Sequence, residues 1–118
     1  MKTQTGILAL AIAFILSFFG ANLQAGNQHY ETATFKVSGN CDMCKKRIEG
    51  ALKNNTAIKS AEWNVSSKMI TVVYNPHSIS LDEIHKLIAA AGHDTDKVKA
   101  DDRVYKKLPG CCKYDRKK

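Results

Sequence analysis

Two cysteines spaced as Cys-x-x-Cys, Cys41 and Cys44, are the residues best suited to chemistry in this chain of 118 residues. The apolar residues that follow Cys44 recur at helical spacing and predict that a helix begins at this pair. The unpaired backbone N–H groups at a helix start stabilise anions, so they favour the thiolate form of both cysteines. Two such thiolates can hold one soft metal ion, such as Cu(I) or Zn(II). The pair therefore predicts a soft-metal site, with a redox dithiol and a structural disulfide as the alternatives.

A second pair of cysteines, Cys111 and Cys112, lies near the C-terminus, directly after a Pro-Gly turn signal. Adjacent cysteines bridge each other only with strain, because the geometry of a disulfide is demanding. Three interpretations stay open: the pair completes a thiolate site with Cys41 and Cys44, forms disulfides with them, or binds a second soft ion. We expect a metal or redox contribution close to the first pair. The pairing does not follow from the sequence, since four cysteines allow three pairings.

The first residues have the pattern of a secretory signal. Lys2 supplies a positive charge, residues 7–19 are almost wholly apolar, and Ala25 ends a stretch suited to cleavage. The apolar run is shorter than the roughly 20 residues that a transmembrane helix needs. We therefore predict a signal peptide over residues 1–25, with an uncleaved N-terminal anchor as the alternative. The mature protein is then periplasmic or secreted, without stable membrane insertion, in a compartment that permits disulfides.

The rest of the chain predicts alternating strands and helices, from apolar side chains at every second or at every third to fourth position. The predicted strands cover residues 31–37, 58–65, 68–74 and, weakly, 95–99, with helices after Cys44 and after Ser80. This order predicts an α+β, ferredoxin-like βαββαβ fold, in which an antiparallel sheet carries two helices on one face. The predicted domain covers residues 26–100. Residues 101–118 form a short C-terminal extension that contains the second cysteine pair.

The formal net charge of +7 does not by itself identify a partner. Nucleic-acid binding is not expected, because aromatic residues are few and are not interleaved with basic ones. Lys45, Lys46 and Arg47 form either a patch that docks onto an acidic partner or an ordinary solvated helix face. The basic residues from Lys113 onward, Arg116 included, are expected to form a flexible tail. The sequence shows no nucleophile–His–Asp set and no acid–base pair, so enzyme chemistry is not expected.

The segments around the first cysteine pair resemble the heavy-metal-associated domain. They are Val37-Ser38-Gly39-Asn40-Cys41-Asp42-Met43-Cys44, Ile48-Glu49, Ala51-Leu52, Trp63-Asn64-Val65, Val73-Tyr74-Asn75-Pro76 and Ala91-Gly92-His93-Asp94. The resemblance covers about residues 31–99. With the predicted signal peptide, the chain resembles periplasmic mercuric-ion-binding proteins and secreted copper chaperones. This resemblance implies a ferredoxin-like fold, a metal ion held by Cys41 and Cys44, and transfer of that ion to a partner by ligand exchange.

The resemblance also gives one histidine a possible role. In the family, the loop after the second helix approaches the metal, often with an aromatic residue or a lysine where this chain has His93. His93 is therefore a candidate third ligand or a cation that tunes the thiolates, against the alternative of a solvated loop histidine. His29, His77 and His85 have no such position and are expected at the surface.

The metal loop departs from the family pattern. Members usually carry Met and then Thr or His between the glycine and the first cysteine, whereas only Asn40 stands between Gly39 and Cys41 here. The loop is one residue shorter, and the Met that packs beneath it is missing. Met43 is expected to fill a gap or to be exposed, with a thioether close to the metal as the alternative.

The sequence therefore predicts an exported, monomeric metallochaperone. It carries Cu(I), with Hg(II) or Zn(II) as alternatives, on Cys41 and Cys44; His93, Cys111 and Cys112 are candidates for additional ligands. Its expected partner is a metal-transporting membrane protein or another metal acceptor. The alternative function is a small extracytoplasmic thiol–disulfide redox protein that uses the same cysteines. A third alternative is a structural module whose four cysteines only form stabilising disulfides.

Overall fold

A computed structural model describes residues 29–116 of the chain. The predicted signal peptide, residues 1–25, lies outside the described residues. Across the described part, no helix is both long and apolar enough to cross a membrane.

Three antiparallel strands form the sheet, in the order β1-β3-β2. Their bounds are Glu31–Lys36 for β1, Ile58–Trp63 for β2 and Met69–Tyr74 for β3. Alternate residues of β3 (Ile70, Val72 and Tyr74) are buried, as the two-residue alternation predicts. The central strand therefore presents one continuous apolar face to the core.

Two helices supply the other side of that core. Helix α1 spans Asp42–Lys53 and helix α2 spans Leu81–Ala90. The two helices bury Ile48, Leu52, Ile84 and Ile88 in the same apolar cluster as the sheet residues. Ser80 is the N-cap of α2, and its hydroxyl accepts a hydrogen bond from the Glu83 backbone N–H at 3.1 Å. The fold class is thus the predicted α+β arrangement of the ferredoxin-like type.

The predicted fourth strand, residues 95–99, does not form. This segment contributes only one isolated bridge, between Val37 and Thr95. The Thr95 hydroxyl accepts hydrogen bonds from the backbone N–H groups of Lys97 at 3.2 Å and Val98 at 2.9 Å, and the Thr95 N–H bonds the Val98 carbonyl at 2.8 Å. These bonds close a tight turn, and a turn competes with an extended strand for the same backbone. The segment therefore turns back after this single bridge, just beyond the end of β1.

His85 is buried, so its predicted surface position is wrong. Its side chain is 1% exposed, its ring stacks on Phe35 at a centroid distance of 3.9 Å, and Nδ1 lies 2.6 Å from the Thr95 hydroxyl. Burial lowers the pKa of His85, and nearby Asp96 only partly opposes this. His85 directly follows Ile84 and lies three positions before Ile88, which places it at the edge of the apolar face of α2. His29 and His77 are exposed, as expected.

The C-terminal extension packs against the domain. It forms a short helix α3, Asp102–Lys106, and a 3-10 turn, Gly110–Cys112. Leu108, Cys112 and Tyr114 are buried and belong to the main apolar cluster. The extension is therefore an integral part of the folded unit.

Two polar anchors fix this extension. The Tyr114 hydroxyl donates to the Gly92 carbonyl at 2.7 Å and accepts from the Asp94 backbone N–H at 2.8 Å. The Arg116 guanidinium donates to both carboxylate oxygens of Asp94, at 2.9 and 3.1 Å, and to the Ala100 carbonyl. Although burial acts to raise the pKa of Asp94, the bonds from Arg116 hold it below its usual range. Because the Arg116 side chain is only 13% exposed, its prediction as part of a flexible tail is wrong.

We predict that the protein loses stability as the pH falls from about 7.5 to about 5, partly through His85. An unfolded histidine has a pKa of about 6.5, whereas the folded pKa of His85 is lower, so the unfolded chain binds the extra proton. The contribution of His85 to the free energy of unfolding is therefore complete above about pH 6.5, the pKa of an unfolded histidine. It is lost as the pH falls below this value toward the lower pKa of the folded state. Urea unfolding across this range should show a smaller pH dependence for His85→Gln than for the wild type.

His77→Gln, at an exposed position, is the matched control and should keep the wild-type pH dependence. An equal pH dependence in His85→Gln and the wild type would contradict the assignment.

Candidate metal centre

The loop that carries the first cysteine pair is positioned by Trp63. A Cβ atom on Gly39 would lie 3.0 Å from the Trp63 ring and 3.1 Å from the Cβ of Cys44, so a side chain at this position would require the ring or the cysteine loop to shift. The indole N–H of Trp63 donates to the carbonyls of Val37 at 3.0 Å and Lys68 at 3.2 Å. The ring is fully buried. The glycine therefore lets the loop lie directly on the indole, which supports it from below.

The two motif cysteines lie at the start of α1, as predicted. Cys41 is the N-cap residue and is half-buried, whereas Cys44 lies in the first turn and is fully buried. Their Sγ atoms are 3.6 Å apart, and the Asn40 backbone N–H donates to Cys44 Sγ at 3.4 Å. Both sulfurs therefore face the same point at the mouth of the loop.

Cys41 is the thiol that is ready to ionise. The backbone N–H of Cys44 is the main cause that lowers its pKa, to about 7, and burial opposes this only in part. The neighbouring thiol of Cys44 and the Met43 backbone N–H act in the same direction. A substantial fraction of Cys41 is therefore thiolate at neutral pH, and the thiolate is the form that binds metals.

The extension brings the second cysteine pair next to the first. The Sγ atoms of Cys41, Cys111 and Cys112 all lie within 4.8 Å of one another, and all four cysteines are free thiols. The Cys111 carbonyl accepts hydrogen bonds from Cys41 Sγ at 3.5 Å and from the Asn40 side-chain amide at 3.4 Å. Burial raises the pKa of Cys112, and the neighbouring thiols of Cys44 and Cys111 add to this effect. A metal ion that binds here therefore displaces thiol protons.

His93 is buried rather than solvated, so the alternative of a solvated loop histidine is wrong. Its Nδ1–H donates to the Ser38 carbonyl at 2.8 Å, and its ring stacks on Tyr114 at 5.6 Å. Burial lowers the pKa of His93, so the ring is neutral at pH 7 and does not act as a cation there. Nε2 is buried and has no hydrogen-bond partner among residues 29–116. The sulfur cluster of the described chain does not include His93, so its ligand role stays a prediction.

Met43 and the basic residues next to the loop have different surroundings. Met43 is 49% exposed, so the expectation of an exposed side chain is confirmed. Its Sδ lies 3.5 Å from Cys111 Sγ. Lys45 Nζ bonds Glu49 at 2.5 Å and the Trp63 carbonyl at 2.9 Å, so it ties α1 to β2. Lys45 is therefore paired within the domain, and docking of these basic residues onto an acidic partner stays a prediction. Of the three basic residues, Lys46 is exposed, whereas Lys45 and Arg47 are partly buried.

Sequence reasoning missed three residues that place the second cysteine pair. Tyr114, Asp94 and Arg116 carry the anchoring bonds, and the partners in these bonds lie about 20 positions apart in the chain. No periodic pattern marks such long-range partners. The only available signal was the presence of an aromatic residue and an arginine just after Cys112.

This fold, with a Cys-x-x-Cys pair at the start of the first helix, is that of a small metal-binding domain. The sequence profile of the heavy-metal-associated domain matches residues 34–94. The chain belongs to the heavy-metal-associated domain family.

Curated relatives are metal-transport proteins. The chain is 34% identical to a copper-exporting P-type ATPase of Staphylococcus saprophyticus over 70 residues, which are 58% of this chain and 9% of that protein. It is 34% identical to a zinc-transporting ATPase of Synechocystis over 64 residues, 53% of this chain and 9% of that protein. It is 30% identical to the copper chaperone CopZ of Staphylococcus epidermidis over 60 residues, half of this chain and 88% of CopZ. The chain thus spans a small part of the two ATPases but most of CopZ.

Solved structures agree with the fold. A CopZ metallochaperone matches with a TM-score of 0.53 at 26% identity, over 55% of this chain and 98% of that one. Oxidized MerP from Ralstonia metallidurans CH34 matches with a TM-score of 0.54 at 19% identity, over 58% of this chain and 96% of that one. The second likeness is one of fold alone.

We predict that Cys41 reacts with iodoacetamide as a thiolate whose pH–rate profile has its midpoint near its pKa, about 7. The backbone N–H groups at the start of α1 stabilise the anion, so reaction persists at a pH where an ordinary thiol is protonated. Peptide mass spectrometry of the reduced, metal-free protein separates the four cysteines. A midpoint at the ordinary cysteine value of about 8.5 would contradict the stabilisation.

Proposed function

We propose that this protein is an exported carrier of Cu(I) that binds the ion through the thiolates of Cys41 and Cys44 and passes it on by ligand exchange. The observation that carries the proposal is the pair of sulfurs 3.6 Å apart at the start of α1, in a domain of the heavy-metal-associated family. This arrangement offers two soft, negatively charged ligands on one side of an ion. Its opposite side is left for a second protein or for further ligands.

The choice of Cu(I) follows from the donor atoms. Thiolates select soft ions, and Cu(I) is satisfied by two or three of them, whereas Zn(II) in proteins usually takes four ligands. The copper chaperone and copper-exporting ATPase among the relatives support the same ion. The zinc-transporting relative makes Zn(II) the first competitor to test, and Hg(II) is a further thiophilic cargo.

The proposed transfer uses the different exposure of the two thiols. Cys41 is partly accessible at the mouth of the loop, whereas Cys44 is buried behind it. An acceptor thiolate therefore approaches on the side of Cys41, forms its bond to the ion, and displaces Cys41 before Cys44. The proposed acceptor is a metal-transporting membrane protein, or another metal acceptor, because two of the relatives are transport ATPases. The predicted signal peptide supports a site of action outside the cytoplasm.

We predict that Cys41→Ser and Cys44→Ser each weaken Cu(I) binding by about tenfold or more, because either change removes one of two primary ligands. Binding is measured without oxygen, by competition of the reduced protein with a chromogenic Cu(I) chelator. Lys46→Ala is the matched control, since this exposed residue lies on the same helix and carries no ligand atom. It should bind like the wild type.

The same experiment distinguishes the alternative function. A wild-type protein that binds no Cu(I), yet reduces a disulfide substrate in a reaction that needs Cys41, would replace the carrier function by the thiol–disulfide function. Tighter competition by Zn(II) than by Cu(I) would overturn the choice of ion.

A further inference from the structure

The second cysteine pair is held beside the metal loop by contacts that involve no thiol. Leu108 packs on Gly92, where a Cβ would lie only 2.9 Å from the Leu108 side chain. The φ of +106° at Gly92 is also a conformation that favours glycine. Tyr114 adds two buried hydrogen bonds, and Arg116 adds its bonds to Asp94. These anchors lie on both sides of the two cysteines in the chain. The thiols are therefore placed before any metal binds, which reduces the entropy lost on binding.

Cys112 is the better placed of the two tail thiols. Both tail thiols lie within 4.8 Å of Cys41 Sγ. Cys112 alone of the two is fully buried in the apolar cluster that contains Cys44, and its thiol contacts the Cys44 thiol. Its backbone N–H bonds the Pro109 carbonyl at 2.9 Å, which fixes the 3-10 turn that presents it. Cys111, by contrast, is exposed, and its thiol points to the thioether of Met43.

From this geometry we infer that Cys112 supplies a third sulfur ligand to the ion held by Cys41 and Cys44, so that the C-terminal extension closes the metal site. The inference rests on the proposed function and adds a ligand to the same site. On binding, a bond forms between the ion and Cys112 Sγ, and the thiol proton passes to solvent. The three sulfurs then surround one soft ion in a trigonal arrangement, which Cu(I) accepts.

Closure of the site has a consequence for release. The Cys111 carbonyl contacts Cys41 Sγ, so the docked extension lies on the side from which an acceptor thiolate approaches. An acceptor must displace both Cys112 and Cys41. The docked extension therefore favours retention of the ion, and its undocking favours transfer.

Anaerobic competition of the full chain with a chromogenic Cu(I) chelator, together with X-ray absorption at the copper edge, tests the inference with Cu(I) alone as the probe. We expect Cys112→Ser to weaken binding about tenfold or more and to lower the number of sulfur ligands from three to two. Cys111→Ser removes the other tail thiol of the same sulfur cluster, and it should weaken binding less than Cys112→Ser does. Lys113→Ser, at an exposed neighbouring position, should behave as the wild type.

Tyr114→Phe is a second variant for the case that Cys112→Ser does not fold. It keeps all four thiols and loses the two hydroxyl bonds that anchor the extension. We expect faster loss of Cu(I) to the chelator and weaker affinity, although no ligand is removed.

Three results would overturn the inference. They are two sulfur ligands in the wild type, an unchanged affinity of a folded Cys112→Ser, or a larger loss in Cys111→Ser than in Cys112→Ser. In each case, loss of binding in Cys41→Ser would leave the proposed function standing. A wild type that binds no Cu(I) would instead remove the proposed function, and the closure with it.

Discussion

The contact between the Trp63 indole and Gly39 is the constraint on which the rest of the site depends. The ring packs so closely on Gly39 that a Cβ there would lie 3.0 Å from it, and its N–H donates to the carbonyls of Val37, just after β1, and Lys68, in the turn before β3. The backbone of Trp63 is tied to α1 as well, through Glu49 at 2.8 Å and Lys45 at 2.9 Å. One residue thus joins β1, the hairpin and α1 at the point where the cysteine loop crosses. This support by Trp63 allows a loop with only Asn40 between Gly39 and Cys41 to present the sulfur atoms of Cys41 and Cys44.

A second set of interactions adds the C-terminal extension to this platform. Tyr114 satisfies a carbonyl and an N–H of the loop after α2, and Arg116 neutralises Asp94 beside it. A buried donor or acceptor without a partner is destabilising by about 1–3 kcal/mol, so this loop and the extension stabilise each other. The loop holds His93, and the extension holds Cys112. Both elements next to the cysteine pair are therefore fixed by the same anchor.

The sequence predicted what depends on local periodicity and on short motifs. The strands β1 and β3, the cap at Ser80 and the position of Cys41 and Cys44 at a helix start all follow from spacing within a few residues. The strand at 95–99 was wrong because the Thr95 side chain closes a turn, which competes with strand pairing. The burial of His85 and His93 and the docking of Arg116 depend on partners distant in sequence, among them Phe35, Ser38 and Asp94. No local pattern encodes such pairs. We expected the two cysteine pairs to lie close together, and packing of the C-terminal extension against the domain brings them there.

The most direct test of a metal centre at Cys41 and Cys44 is heteronuclear NMR of the reduced protein during anaerobic titration with Cu(I). If the ion binds at the sulfur cluster, the backbone resonances of residues 39–44 and 110–114 change, while those of the outer strand β2 at Ile58–Ala61 stay unchanged. Unchanged resonances in the cysteine loop, or changes confined mainly to a distant surface, would contradict a metal centre built on Cys41 and Cys44.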